Sequence, residues 1–254
     1  MTANHLYLAF DIGNTTVRIA VRGTEGWEPV ETIRTRPLEN LPDRVGDAVS
    51  HADLAGEPDR ILASSVCPTI DDMVVETCNK SGWRVPEFFG KDLPIPIQTS
   101  VREPEKVGND RLLCALGARE MVGSPCIVIG MGTAITVDLI DHEGIFAGGA
   151  IAPGLRLSAR ALNEGTAALP AILIDSPAET PGKDTESAIR CGVLAFCRGG
   201  VQKLVSKFSA EFQSDLEVVL TGGDANWLEC DTWDRSVRQV PLLIFRGMKV
   251  AVSE

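Results

Sequence analysis

The sequence predicts an α/β fold built from two similar halves. Three observations carry this. Short apolar runs alternate with helical stretches along the chain. Each half shows the same order, three strands on short turns followed by alternating helices and strands. A local pattern also recurs: Asp11-Ile12-Gly13-Asn14-Thr15-Thr16-Val17 ends the first strand, and Gly130-Met131-Gly132-Thr133-Ala134-Ile135-Thr136 ends its counterpart in the second half. The chain has 254 residues, 44% of them apolar and 23% charged, which suits one large domain or two intimate halves and no disordered chain. The halves are expected over 1–123 and 124–254.

Leu6–Asp11, Val17–Arg22 and Val30–Arg34 read as strands separated by turn residues, among them Gly23-Thr24-Glu25-Gly26. Leu38–Ala55 reads as a helix despite Pro42 and Gly46. Arg60–Val66 is a strand, and Pro68 opens a helix to about Ser81. Pro94 and Pro96 mark an extended connection, and Glu103–Val122 is a helix with acids in its first turn. Cys126–Met131, Ala134–Ile140 and Ile145–Ile151 begin the second half as strands. A helix over Leu155–Glu164, a proline-rich loop over Pro170–Pro181 and a long helix over Asp184–Phe208 follow. Leu216–Leu220 is a strand with a helical stretch after Gly223, and Pro241–Phe245 is a last strand leading into a terminal helix.

Composition narrows the function. Lys plus Arg number 24 against 35 Asp plus Glu, a net charge of −11, which argues against a nucleic-acid backbone as the main partner. No run approaches the roughly 20 apolar residues of a membrane span, and Met1-Thr2-Ala3-Asn4-His5 lacks a signal-peptide pattern. The 7 cysteines are scattered and never paired as C-x-x-C, which predicts reduced thiols in a cytoplasmic protein. The 3 histidines do not cluster, which argues against a zinc enzyme and against histidine catalysis. The P-loop and the dinucleotide-binding glycine signatures are both missing.

Four motifs could carry chemistry. Asp11–Thr16 delivers a carboxylate to a strand end, then a glycine turn with Asn and Thr donors; it suits phosphate oxygens and Mg²⁺, or it is a hairpin turn satisfying itself. Gly132-Thr133 repeats that turn. Gly108-Asn109-Asp110-Arg111 sits within the Glu103–Val122 helix segment, where a glycine suggests close approach. Asp110 could take a proton from an attacking hydroxyl and Arg111 could hold an anion, or the two form a surface pair. Thr221-Gly222-Gly223-Asp224 runs a strand into two glycines, suited to a purine or ribose or simply to a strand–helix turn. Gly148–Gly154, rich in small residues, reads as close chain packing.

Taken in order, these segments with Ser64-Ser65-Val66 and Ala167–Pro170 resemble the type III pantothenate kinases of bacteria, a family that includes the Bvg accessory factor homologues. The resemblance runs from Leu6 to about Val250. It implies the duplicated, actin-like fold of the acetate and sugar kinase, Hsp70 and actin superfamily, ribonuclease H-like in each half, with ATP clasped by the two halves. It implies transfer of the γ-phosphoryl group of ATP to pantothenate, the first step of coenzyme A synthesis, in a homodimer. By the family pattern, Asp11, Gly13, Asn14, Thr15, Thr16 and Arg18 belong to the first phosphate segment, with Asp11 near Mg²⁺. Asp110 is the general base. Gly108, Asn109 and Arg111 hold pantothenate, and Thr185 reaches it from the partner subunit. Gly132 and Thr133 contact ATP, and Gly222 and Gly223 form the adenosine motif.

Two positions depart from that pattern. The family's monovalent-cation aspartate is replaced by Gly130, which predicts that K⁺ stimulation is absent or altered. A tyrosine of the pantothenate pocket is replaced by Val101. The alternative is a diverged paralogue, either a kinase for another small hydroxyl compound or a non-catalytic nucleotide-binding regulator.

Overall fold

The computed structural model describes residues 6–22, 26–51, 57–212, 215–230 and 233–253. The expected turn at 23–25, the helix end at 52–55 and the residues 1–5 lie outside them. The chain forms two compact units. One comprises Met1–Gln98, Arg102–Met121 and Leu242–Glu254, and the other Thr99–Val101 and Val122–Pro241. The end of the chain therefore groups with the first unit, where the sequence places a simple division after residue 123.

The first unit holds β1 (Tyr7–Ile12), β2 (Thr16–Arg22), β3 (Trp27–Arg34), α1 (Leu41–His51), β4 (Arg60–Ser65), α2 (Pro68–Lys80), β5 (Glu87–Phe88), α3 (Asn109–Val122) and, from the end of the chain, α6 (Leu243–Ala251). Its sheet runs β3-β2-β1-β4-β5. β1 pairs antiparallel with β2 and parallel with β4. A strand central to such a sheet is covered on both faces, so β1 is buried throughout and reads as an apolar run broken only by Asp11. Leu8, Phe10 and Ile12 join α1 and α2 residues such as Leu41, Val45, Ile70 and Val74 in one core. The alternate residues Tyr7 and Ala9 join Leu113 of α3 with Ile244, Phe245 and Met248 of α6 in the other.

The second unit holds β6 (Cys126–Met131), β7 (Ala134–Ile140), β8 (Phe146–Pro153), α4 (Leu155–Gly165), α5 (Thr185–Glu211), β9 (Glu217–Thr221) and β10 (Val237–Gln239). Its sheet runs β10-β9-β6-β7-β8. Read from the first strand of each unit, the neighbours and their directions match those of the first sheet. Ile127, Ile129, Val137 and Val218 pack with Val201 and Val205 of α5. Asp184 caps α5: the Ser187 N–H donates to its Oδ1 at 2.7 Å.

Three expectations change. The Glu103–Val122 helix is broken: Pro104–Lys106 makes one 3-10 turn, Val107 is extended, and α3 begins at Asn109. Gly108 therefore precedes the helix and carries no mid-helix cost. Pro241–Phe245 is not a strand, because Leu243, Ile244 and Phe245 are buried along α6. Short apolar runs do not distinguish strand from buried helix by pattern alone. The strand here is Val237–Gln239, in parallel register with β9. The helical stretch after Gly223 is only the 3-10 turn Ala225–Trp227.

Candidate active site

The first unit gathers most of the predicted chemistry at one end of its sheet. Asp11 closes β1, in register with Arg18 of β2 and Ser64 of β4. Residues in register share a face, so these three form a polar row. Two residues further from that end, the same face is Ala20, Ala9 and Leu62, packed with α3 and α6 residues. Arg18 Nε donates to Asp11 Oδ2 at 2.7 Å, and its Nη2 pairs with the same oxygen. Burial works against the Arg18 charge, but the Asp11 carboxylate outweighs it, helped by Cys114 and Asp110, so the guanidinium is held above its usual pKa.

Asp110 sits in the first turn of α3. Burial raises its pKa above the usual carboxylate range, and the nearby Asp11 charge raises it further; the Arg111 N–H, the Arg111 charge and its own N–H pull it partly back. A Cβ on Gly108 would fall 2.4 Å from Asp110 Oδ1, so a side chain at 108 would displace this carboxylate from its present position. The close approach expected at Gly108 is thus to Asp110 itself. Asn109 has its amide engaged by the fold: Nδ2 donates to the Phe89 carbonyl at 2.8 Å, against Gly90 at φ +82°. Arg111 follows Asp110 on the same turn and is half-buried.

The turn after β1 is tight. The Gly13 N–H donates to the Thr16 carbonyl at 2.9 Å, so this amide closes the hairpin. Asn14 and Thr15 stand exposed at the tip. Thr35, 1% exposed, braces them: its N–H donates to the Thr15 carbonyl and its hydroxyl to the Asn14 carbonyl. Sequence reasoning misses Thr35, whose contact lies 20 residues on in another strand's exit. It also assigns no role to Ser64. That residue is 0% exposed, and its hydroxyl has no hydrogen-bond partner among the described residues. The register of β4 on β1 sets Ser64 beside Asp11, and no local pattern in β4 carries that register.

The second unit gathers its own set. The Gly132 N–H donates to the Ala134 carbonyl, and the Gly154 N–H to the Thr133 carbonyl. A Cβ on Gly154 would lie 2.1 Å from the Gly132 carbonyl oxygen. Gly222, at φ +105°, abuts the Met131 backbone, with a Cβ falling 2.2 Å from its oxygen. Gly132, Thr133, Gly154 and Gly222 thus make one close backbone cluster, while Gly223 faces open space. Gly130 pairs with Thr136 and Thr221, and a Cβ there would lie 2.7 Å from Thr136 Oγ1. Val101 packs by Gly148 in this unit. Thr185 opens α5 and is exposed.

Comparison with known proteins gives a consistent result. The model of the type III pantothenate kinase family matches residues 7–207. A type III pantothenate kinase of Dehalococcoides mccartyi (strain CBDB1) is 34% identical over 233 residues, covering 88% of this chain and 87% of that protein. Another from Bifidobacterium animalis subsp. lactis is 31% identical over 249 residues, covering 96% and 97%. Among solved structures, a Baf family protein from Campylobacter jejuni is 18% identical with a TM-score of 0.58, covering 97% of each chain. MreB 5 of Spiroplasma citri, bound to AMPPNP, is 10% identical with a TM-score of 0.50, covering 97% and 95%. These likenesses show the fold: an α/β chain whose two sheets share one strand order, as in the actin-like fold.

Proposed function

The chain belongs to the type III pantothenate kinase family, and from that premise we propose that it transfers the γ-phosphoryl group of ATP to the primary hydroxyl of pantothenate. The products are 4'-phosphopantothenate and ADP, in the first step of coenzyme A synthesis. The observation that carries this reading is Asp110, a carboxyl made more basic by burial and by the neighbouring Asp11. Phosphoryl transfer needs an aligned hydroxyl, a base and preorganised charge more than covalent help. Asp110 takes the hydroxyl proton as the oxygen attacks phosphorus. Arg111, one residue on, binds the substrate carboxylate with Gly108 and the Asn109 backbone. Arg18, fixed by Asp11, offers positive charge to phosphate oxygens. The Asp11–Thr16 and Gly132-Thr133 turns serve the phosphates, and Gly222-Gly223 the adenosine.

Mg²⁺ suits this donor set. Both Arg18 contacts fall on Asp11 Oδ2, which leaves Oδ1 without a hydrogen bond among the described residues. Mg²⁺ is commonly held by one or two carboxylates, waters and the substrate phosphates. Bound there it would neutralise charge on the phosphates. We assign the working form to a cytoplasmic homodimer in which Thr185 reaches the partner's pantothenate. Phe196, 86% exposed on the helix that Thr185 opens, supports an association surface on α5.

The test is phosphate transfer from ATP to pantothenate with Mg²⁺. Turnover that survives in wild type and is lost in Asp110→Asn is the expected result. ATP binding without transfer to pantothenate would instead favour the nucleotide-binding regulator.

A further inference from the structure

Ser64 is buried to 0% exposure, yet its hydroxyl finds no partner among the described residues. A buried hydroxyl without a hydrogen bond is a cost that a fold normally removes. Its position explains why the cost is kept. Ser64 stands in register on one side of Asp11, and Arg18 on the other. Arg18 takes Asp11 Oδ2. Asp11 Oδ1 takes no hydrogen bond among the described residues, so an acceptor and a hydroxyl without partners are cross-strand neighbours.

They do not bond each other, so one further group must satisfy both. A water with two hydrogens to give can do so, one to Asp11 Oδ1 and one to Ser64 Oγ. The hydroxyl hydrogen is then left to donate to a phosphate oxygen. The Asp11 oxygen decides what kind of water this is. Asp11 Oδ1, left open by Arg18, is the oxygen that suits Mg²⁺ in the kinase reading, and Mg²⁺ keeps several of its waters when it is held by one or two carboxylates. The water between Asp11 and Ser64 is then one that the cation carries. We propose that Ser64 is a positioning residue that, with Asp11, anchors the hydration shell of Mg²⁺. This rests on the kinase reading above.

The test compares wild type with Ser64→Ala in three measurements: melting without ligand, Mn²⁺ binding in the presence of ADP followed by electron paramagnetic resonance, and the Mg²⁺ dependence of turnover. Ser64→Ala is expected to melt no lower than wild type, because its hydroxyl has no bond to lose. Its Mn²⁺ affinity is expected to fall about tenfold, the worth of one hydrogen bond to a charged assembly. The Mg²⁺ needed for half-maximal turnover rises in step. Ser64→Cys, similar in size with a weaker acceptor, falls in between. Equal Mn²⁺ affinity in wild type and Ser64→Ala overturns the inference and leaves the kinase reading standing. Lower turnover at unchanged metal affinity also overturns it, since Ser64 would then act on the substrate. No transfer to pantothenate by wild type, with Mn²⁺ affinity still lowered by Ser64→Ala, retires the kinase reading and supports Ser64 as a metal anchor.

Discussion

Asp110 is placed where ionisation is expensive: burial raises its pKa first, and the Asp11 charge adds to it. The folded chain therefore holds that proton more tightly than the unfolded chain does. Between the unfolded pKa and the higher folded one, the native state binds more protons. This group's contribution to stability is thus greatest at acid pH and falls as pH rises through the folded value. The role proposed for Asp110 needs the opposite state, since a general base must be ionised. Two consequences follow for the ligand-free protein at pH 7. Asp110→Asn is expected to melt above wild type, while its turnover drops by roughly 10²- to 10⁴-fold, the usual worth of a general base. Wild-type turnover should fall on the acid side with a midpoint above that of an ordinary aspartate. Melting curves and a pH–rate profile check both, and a variant that melts lower with its activity intact would remove Asp110 from the role.

Helix α3 holds Asp110 in place through backbone contact with α6. A Cβ on Gly247 would lie 1.9 Å from the Leu113 carbonyl oxygen, and one on Gly117 would lie 2.8 Å from the Leu243 oxygen. Because those atoms are backbone, a methyl group there must push the helices apart. Gly247→Ala is expected to destabilise the protein by about 1–3 kcal/mol, as overpacking does. It should also lower turnover, because α3 carries Asp110, the proposed base, in its first turn. Thermal melts and the kinase assay read the two effects, and an unchanged melt would show that the helices can part without cost. This contact marks what local sequence cannot reveal. The strands Cys126–Met131 and Ala134–Ile140 were legible to the residue, since each alternates or runs apolar between turn residues. α6 was misplaced because Leu243, Ile244 and Phe245 form a short apolar run whose partners lie on α3, over 100 residues earlier. Gly108 was legible as a place of close approach, but not as the glycine that makes room for the adjacent carboxylate. The glycine turns at Gly13 and Gly132 were legible as turns, because a turn is set by local residues. Thr35 and Ser64 were not legible, because each acts only through a neighbouring strand.

The two units share a strand order but not a chemistry, and the difference lies in one row. In the first unit the row is Arg18, Asp11 and Ser64. At the same places of the second sheet it is Thr136, Gly130 and Thr221. Duplication has thus left one row charged and the other with hydroxyls alone. The second row cannot offer a carboxylate to a monovalent cation, and space for one is restricted, because Thr136 Oγ1 lies 2.7 Å from where a Cβ on residue 130 would be. A weakly bound cation such as K⁺ needs fixed negative charge to be held against water. Turnover is therefore expected to be flat when K⁺ replaces another monovalent cation at constant ionic strength, while it still depends on Mg²⁺ through the charged row. A saturable rise with K⁺ would mean that oxygens outside this row build the cation site, and the charge difference between the two sheets would then say nothing about metal use.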